Sequence, residues 1–322
     1  MSRGQLSRGP ILVLLVLSLL WGGNMVAIKV SVQGVAPLFA AGLRSLVAGT
    51  CVYLWMRVRG VPAFPGRAVL LHGLAVGVMF GAEFGFIYLG LKHTLASRSA
   101  ILLYTHPFFV AIGAHLLLEG DRLHARKAFG LVLAFAGVAT LFARSWGPMS
   151  LQTLPGDLSI LLGAALWGAT TLYIKRFLTG RARPVQTLFY QLAFSAPVLL
   201  AWSALMEDRV WGSVTSAVAV SLLYQCFVVA FLSYIAWFEL IERYSVSLLA
   251  AFTFFTPVFG VFLSAAALPG ETLQPALLAS LVLVCAGMIL VNRPPRQPAG
   301  VGHGRDSAGP GLVAAAPGTP PT

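Results

Sequence analysis

The chain has 322 residues, of which 58% are hydrophobic and only 10% are charged, and its mean hydropathy is +0.84. A soluble domain carries about a quarter charged residues, and this much apolar surface does not fit inside one water-soluble core. These values exclude a soluble globular fold and predict that the lipid bilayer solvates most of the molecule.

The formal net charge of +12 comes from 22 Lys and Arg residues against 10 acidic ones. In a soluble chain such an excess would suggest a nucleic acid as partner. Here the basic residues lie in short segments between apolar runs and form no stripe interleaved with aromatics, so we predict no nucleic-acid binding. The cysteines show no CxxC spacing and predict no disulfide, metal site or cofactor: Cys51, Cys226 and Cys285.

A helix needs about twenty apolar residues to cross the hydrocarbon core. By that rule the chain contains ten spans, at 11–31, 37–57, 69–91, 96–118, 126–144, 157–178, 184–206, 214–240, 246–268 and 275–292. The first apolar run lacks a signal-peptide cleavage site, so we expect it to be retained as a helix. Residues 1–10 precede it, and the Pro-, Gly- and Ala-rich residues 293–322 are predicted to form a disordered tail.

The Lys and Arg residues predict the orientation of these spans. Sixteen of the 22 fall on one side of the membrane, five fall on the other, and Arg44 lies within a span. Because the basic side of a membrane protein is cytoplasmic, both termini are predicted to lie in the cytoplasm. We expect a multi-pass protein of the cell inner membrane.

The first half of the chain resembles the second half. Pro107 recurs 150 positions later as Pro257, and the same offset relates Gly120-Asp121-Arg122-Leu123 to Gly270-Glu271-Thr272-Leu273. Trp21-Gly22 and Lys29 recur 146 positions later as Trp167-Gly168 and Lys175. We predict two repeats, at 11–144 and 157–292. Each holds five spans, so the second enters the membrane upside down, and the predicted fold is an all-α membrane protein of two inverted five-helix repeats.

Three segments resemble the EamA-type permeases of the drug/metabolite transporter superfamily, with a likeness that covers about residues 11–292. They are Trp21-Gly22-Gly23-Asn24 with Lys29, Gly42-Leu43-Arg44, and the stretch from Ala96-Ser97 through Pro107 to Gly120-Asp121. The resemblance implies a secondary transporter that exports or imports metabolites such as amino acids or amines, with export as the working direction. The family usually has Glu at the position of Asp121, and we expect the loop to keep its structural role.

Two other classes of membrane protein are compatible with ten spans. A structural or receptor-like protein would not require internal symmetry. A membrane enzyme would need a catalytic cluster, and the sequence contains no HExxH, GxSxG or P-loop motif. We therefore predict a small-molecule transporter without enzymatic activity.

Ionisable residues inside spans are costly and are therefore candidates for function. Arg44 and Glu83 each lie about 10–12 Å below the outer surface at a rise of 1.5 Å per residue. They are placed to form an ion pair that faces a central cavity. One interpretation makes Glu83 a proton or cation site that is released when Arg44 moves away, and the other makes the pair a static contact that locks two helices together.

Proline bends a helix, so Pro107 and Pro257 are candidate hinges. His106 and Tyr104 flank the first bend as candidates for a titratable or solute-lined site, and the alternative is that His106 bonds a neighbour.

Uncharged residues complete the candidate site. Trp21 and Asn24 are candidates for solute contact or for helix packing. Gln191 and Tyr224 are candidates for ligand binding or for interhelical bonding. A glycine ridge in the third span predicts close helix packing and permits a homodimer: Gly73, Gly77, Gly81 and Gly85.

Overall fold

The computed structural model describes residues 6–91, 93–94, 96–143, 151–267 and 275–293, apart from the side chains of 96–98 and 264. These residues are nearly all helical, with one isolated β-bridge between Val35 and Trp211. The predicted tail beyond residue 293 and the repeated motif at 270–273 lie outside the described residues.

Ten helices in the described part of the chain are long and apolar enough to cross a membrane, which confirms the predicted number. Their ends differ from the predicted ends by at most three residues. Spans 1 to 10 are, in order, Arg8–Ser31, Pro37–Val58, Arg67–Leu91, Ala96–Leu103 with His106–Leu117, Ala125–Phe142, Leu154–Leu178, Pro184–Met206, Ser216–Arg243, Val246–Phe252 with Phe255–Ala267, and Pro275–Asn292.

Four of these spans depart from a regular α-helix. Spans 4 and 9 are each interrupted by two residues between their halves. Span 6 ends in a π-helical turn at Ile174–Leu178, and span 8 contains a longer π-helical segment at Tyr224–Ser233. Such irregular segments need neighbouring groups to satisfy their backbone, so they mark where helices depend on tertiary contacts.

The two ends of the described chain meet on one side of the bundle, which we call the terminal side. The backbone N–H of Leu6 donates to Asn292 Oδ1 at 3.2 Å. On the opposite side, the carboxylate of Glu207 accepts the N–H groups of Leu38 and Phe39 at 2.8 and 3.0 Å. Glu207 thereby caps the start of span 2 with a residue from the loop after span 7.

Span 9 occupies the centre of the bundle. Protein buries 78% of its most apolar window, against 28% for spans 1 and 10. Its interruption therefore lies among other helices and away from lipid, where irregular backbone is tolerated.

Equivalent contacts recur between the predicted repeats. A Cβ atom added at Gly22 would lie 2.9 Å from Phe259 Cβ, and one added at Gly168 would lie 2.9 Å from Phe109 Cβ. Gly22 and Gly168 are repeat equivalents, and so are Phe259 and Phe109. Span 1 therefore approaches span 9 as span 6 approaches span 4.

Spans 5 and 10 pack directly on one another. A Cβ atom added at Gly130 would lie 2.7 Å from the Gly287 carbonyl oxygen, and one at Gly137 would lie 2.9 Å from the Ser280 carbonyl oxygen. The offset of 150 converts each pair into the other, and the order of contacts shows that the two helices cross antiparallel. An antiparallel crossing of equivalent helices is what an inverted repeat requires.

The glycine ridge of span 3 packs against span 7. Gly73, Gly77, Gly81 and Gly85 face, in that order, Tyr190, Phe194, Val198 and Trp202. The predicted close packing is present, but the chain itself covers the ridge. In this structure the ridge is therefore not available to a second copy, so it no longer supports the homodimer that the sequence permits.

Candidate functional site

A cavity of about 400 Å³ lies inside the bundle and is lined by every span except 5 and 10. This volume is within the usual range for small-molecule sites. Six of the eight predicted site residues line it: Trp21, Asn24, Arg44, Glu83, Tyr104 and Gln191. His106 and Tyr224 are not among the residues that line it.

The cavity reaches the surface on the opposite side. Its lining includes Lys29 and Leu91, which are exposed residues in the last turns of spans 1 and 3. Toward the terminal side it ends at the buried residues Ile174 and Ile241. There Lys175 Nζ donates to the Ile241 carbonyl at 2.5 Å and joins the ends of spans 6 and 8. The terminal side is therefore closed.

Arg44 and Glu83 are buried charged residues that line the cavity, and they are 2% and 3% exposed. Within the described residues no ion pair joins them, so the ion pair expected from their similar depth is absent. The Arg44 guanidinium instead lies over the Phe84 ring, 4.7 Å from its centroid. Arg44 Nε and Nη2 and Glu83 Oε2 are buried without a hydrogen-bond partner among the described residues. Such groups are costly to bury, so this site is suited to receive a polar ligand.

Spans 4 and 9 are interrupted next to the predicted prolines. Thr105 and Thr253 each donate their backbone N–H to the carbonyl three residues earlier, at 3.1 Å in both cases. Pro107 and Pro257 follow within the first three residues of the next helical segments, where a missing N–H costs little. The interruptions fit the predicted bends, and hinge motion at these prolines remains a prediction.

His106 connects the two interruptions from behind the cavity wall. It is 1% exposed. Its Nε2 contacts Thr253 Oγ1 at 3.1 Å, and its Nδ1 contacts the Leu103 carbonyl oxygen at 3.3 Å. Its ring stacks on Trp167, with centroids 3.7 Å apart and planes 7° apart. His106 therefore bonds its neighbours, as the alternative interpretation expected.

Trp21 lines the cavity within an aromatic cluster. Its Nε1 donates to Ser233 Oγ at 2.9 Å. Its ring makes edge contacts with Tyr234 and Trp237, at centroid distances of 6.2 and 5.1 Å. Trp21 therefore packs against span 8 and presents an aromatic surface to the cavity, and its contact with a solute remains a prediction.

Tyr224 belongs to the interface between spans 1 and 8. Its hydroxyl donates to the Leu20 carbonyl at 2.8 Å, and the neighbouring Gln225 Nε2 donates to Ser31 Oγ at 2.9 Å. These bonds hold the π-helical segment of span 8 against span 1. Interhelical bonding, which was the alternative to ligand binding, is therefore the role that the position of Tyr224 supports.

Several aromatic residues of the cavity were not singled out from the sequence: Phe84, Tyr88, Trp167, Tyr234 and Trp237. The repeat could have identified Trp167, because Trp21 recurs at that position. No sequence signal separates the others from aromatics that face lipid.

A second polar cluster lies on the terminal side, at the loop between spans 4 and 5. Asp121 pairs with Lys127 Nζ at 2.7 Å and accepts the Ser245 hydroxyl at 2.7 Å. The Ser247 hydroxyl contacts both Asp121 and Lys127, and the Ser247 N–H donates to Asp121 at 3.2 Å. We call these four residues the Asp121 cluster. Asp121 thereby caps the first half of span 9 from the other predicted repeat.

Neighbouring groups keep Asp121 ionised. Burial alone would raise the pKa of Asp121, but the Lys127 ammonium and hydrogen bonds from Lys127, Ser247 and Ser245 outweigh it, so the pKa lies below the usual 3.8. Because the pKa is lowered in the folded state, this contribution to stability is fully present well above pH 3.8. It is lost as the pH falls below that value through the folded-state pKa.

We expect Asp121→Asn to lower the free energy of unfolding in detergent at pH 7 by about 2 kcal/mol, because Lys127 is left buried without its counter-charge. The difference from wild type should shrink below pH 3.8. Glu239→Gln is the matched control: it breaks an exposed pair with Arg243, 3.0 Å apart, and should cost less than about 0.5 kcal/mol. Equal stability of Asp121→Asn and wild type at pH 7 would contradict the structural role of the cluster.

The fold and the cavity define a multi-pass membrane protein with a partly polar, solute-sized chamber between its helices. Within the part of the chain that the structure describes, no group of three His, Cys, Asp or Glu residues could hold a metal ion. The chain belongs to the EamA-like transporter family, whose model matches residues 8–143 and 154–293. This match confirms the resemblance inferred from the sequence.

Individual proteins that are similar to this chain are consistent with its membership of the family. Two proteins named probable amino-acid metabolite efflux pump are similar over 88% of this chain and 95% of their own length. The one from Salmonella typhimurium is 31% identical over 295 residues, and the one from Escherichia coli is 29% identical over 296 residues. A protein crystal structure matches with a TM-score of 0.76 at 23% identity, covering 88% of this chain and 96% of that one, which supports the fold.

Proposed function

We propose that this protein is a secondary transporter that moves small metabolites of the amino-acid class across the inner membrane, with export as the working direction. The names of the two similar proteins support this solute class and direction. One observation carries the proposal: a single cavity contains a buried cation and a buried anion with unpartnered atoms, between aromatic walls.

The charged groups of the cavity match the two charges of an amino acid. The unpartnered Nε and Nη2 atoms of Arg44 form one edge of the guanidinium, and that edge donates two parallel hydrogen bonds to a carboxylate. The carboxylate of Glu83 can accept hydrogen bonds from the ammonium group of the solute, or it can carry a proton once the solute has left. Trp21 and the other aromatic side chains can hold the apolar part of the solute.

The closed terminal side supports a mechanism of alternating access. The Asp121 cluster and the Lys175 contact both hold helices together on that side, while the cavity reaches the opposite surface. Transport requires a second state in which these contacts open and the opposite side closes. Recurrence of the same contacts between repeats supports such an exchange, since the two halves can then swap arrangements.

We further infer that the terminal side faces the cytoplasm, because it carries most of the Lys and Arg residues in the predicted topology. In that orientation the state described here is open to the outside and closed to the cytoplasm.

Reconstituted protein tests the proposal. Proteoliposomes are loaded with labelled amino acids, and each is paired with the amine that lacks its carboxylate, with and without a pH gradient. We expect transport of at least one amino acid, with its amine about tenfold slower or more, because the amine leaves Arg44 without a carboxylate. Rates equal to those of empty liposomes across the whole panel would contradict the function.

A further inference from the structure

The two equivalent tryptophans of the cavity are held in different ways. The indole N–H of Trp21 is used by Ser233, at 2.9 Å. Trp167 is partly exposed and lines the cavity, and its Nε1 donates to no other residue that the structure describes. A free indole N–H on a residue that lines the cavity is an unused hydrogen-bond donor for a solute.

The Trp167 ring is held from behind. His106 stacks on it in parallel, and His106 is itself held by contacts with Thr253 at 3.1 Å and Leu103 at 3.3 Å. The next residue, Gly168, lets span 6 approach Phe109 so closely that an added Cβ would lie 2.9 Å from Phe109 Cβ. Both the ring and the backbone beneath it are therefore constrained.

We propose that Trp167 binds the solute through its indole N–H and ring, and that His106 is the residue that positions it. This inference rests on the proposed transport function and adds a residue pair to its site. His106 also contacts both helix interruptions, through Leu103 in span 4 and Thr253 in span 9. A movement at either interruption is therefore transmitted to the wall of the cavity.

Matched substitutions separate the two roles. Trp167→Phe removes the N–H and keeps an aromatic ring against His106, whereas His106→Phe keeps the stacked ring and removes both polar contacts. His106→Ala removes the stacked ring as well as the two polar contacts. Trp211→Phe is the control, because Trp211 lies outside the cavity and packs on Phe39.

In proteoliposomes we expect Trp167→Phe to raise the KM for the best-transported amino acid by about three- to tenfold, because one hydrogen bond to the solute is lost. The maximal rate should change by less than about twofold. His106→Ala should raise KM more than His106→Phe does, and Trp211→Phe should leave KM unchanged. A purely structural role would instead lower the amount of active protein and the maximal rate without changing KM.

Thermal melting in detergent provides a readout that does not depend on transport. The same amino acid should stabilise the wild type and Trp211→Phe, and this stabilisation should be smaller in Trp167→Phe and His106→Ala. A wild-type protein that transports the amino acid, with unchanged KM in both variants, would overturn the inference and leave the proposed function intact. A wild-type protein that neither transports nor is stabilised by any amino acid would overturn both.

Discussion

Glu83→Gln is expected to abolish the pH dependence of transport and to slow net transport by about tenfold or more. Glu83 is the acidic residue among the described residues that line the cavity, and it is 3% exposed. Gln has nearly the same shape but carries neither a negative charge nor an exchangeable acidic proton. It therefore loses both the attraction for a solute ammonium and any proton coupling. Initial rates in proteoliposomes over a series of pH values measure both effects.

The control for this substitution makes the same change of charge elsewhere. Glu239→Gln removes a carboxylate at the end of span 8, outside the cavity, and should retain the wild-type pH profile. Expression and melting temperature of Glu83→Gln should match those of the wild type, since no ion pair is broken. A wild-type pH profile in Glu83→Gln would reject the proton role of Glu83.

Gly77→Val is expected to lower the free energy of unfolding by about 3 kcal/mol or more, or to prevent folding. An added Cβ would lie 2.3 Å from Phe194 Cβ and 2.9 Å from the Tyr190 carbonyl oxygen. Neither atom is at the flexible end of a side chain, so spans 3 and 7 would have to separate. Overpacking costs about 1–3 kcal/mol where neighbours can shift, and more where a backbone must move. The yield of monodisperse protein and its melting temperature measure the effect.

Gly9→Val is the matched control for the glycine ridge. Gly9 is also a helical glycine, but an added Cβ there would meet no atom within 4 Å. We expect a change of less than about 0.5 kcal/mol. A Gly77→Val variant with wild-type stability would show that span 7 does not cover the ridge, and a second copy of the chain could then pack there.

The number and limits of the spans could be predicted because the requirement for crossing a membrane is local. About twenty consecutive apolar residues satisfy it whatever their neighbours are, so the predicted ends agree within three residues. The interruptions next to Pro107 and Pro257 are local for the same reason, since proline alters the backbone of its own helix. Charges inside spans were equally visible, and both Arg44 and Glu83 line the cavity.

The contacts of these residues were not predictable in the same way. Similar depth suggested that Arg44 would pair with Glu83, but depth leaves the rotation of each helix open, and Arg44 lies over Phe84 instead. The rotation of each helix and the packing around it also place Tyr224 outside the cavity and Trp167 in its lining. The Asp121 cluster likewise depends on a loop and a helix start that are far apart in the chain.

The sequence by itself therefore determined that this protein crosses the membrane ten times and that its second half resembles its first half. It also determined that two charged residues lie within spans, where the hydrocarbon core makes them costly. Only the tertiary structure decided which side chains share the cavity, which glycines are covered and which side is closed. The physical reason is the range of the interactions. Crossing the bilayer depends on neighbours in sequence, whereas Gly77 meets Phe194 and His106 meets Thr253 across more than 100 residues of chain.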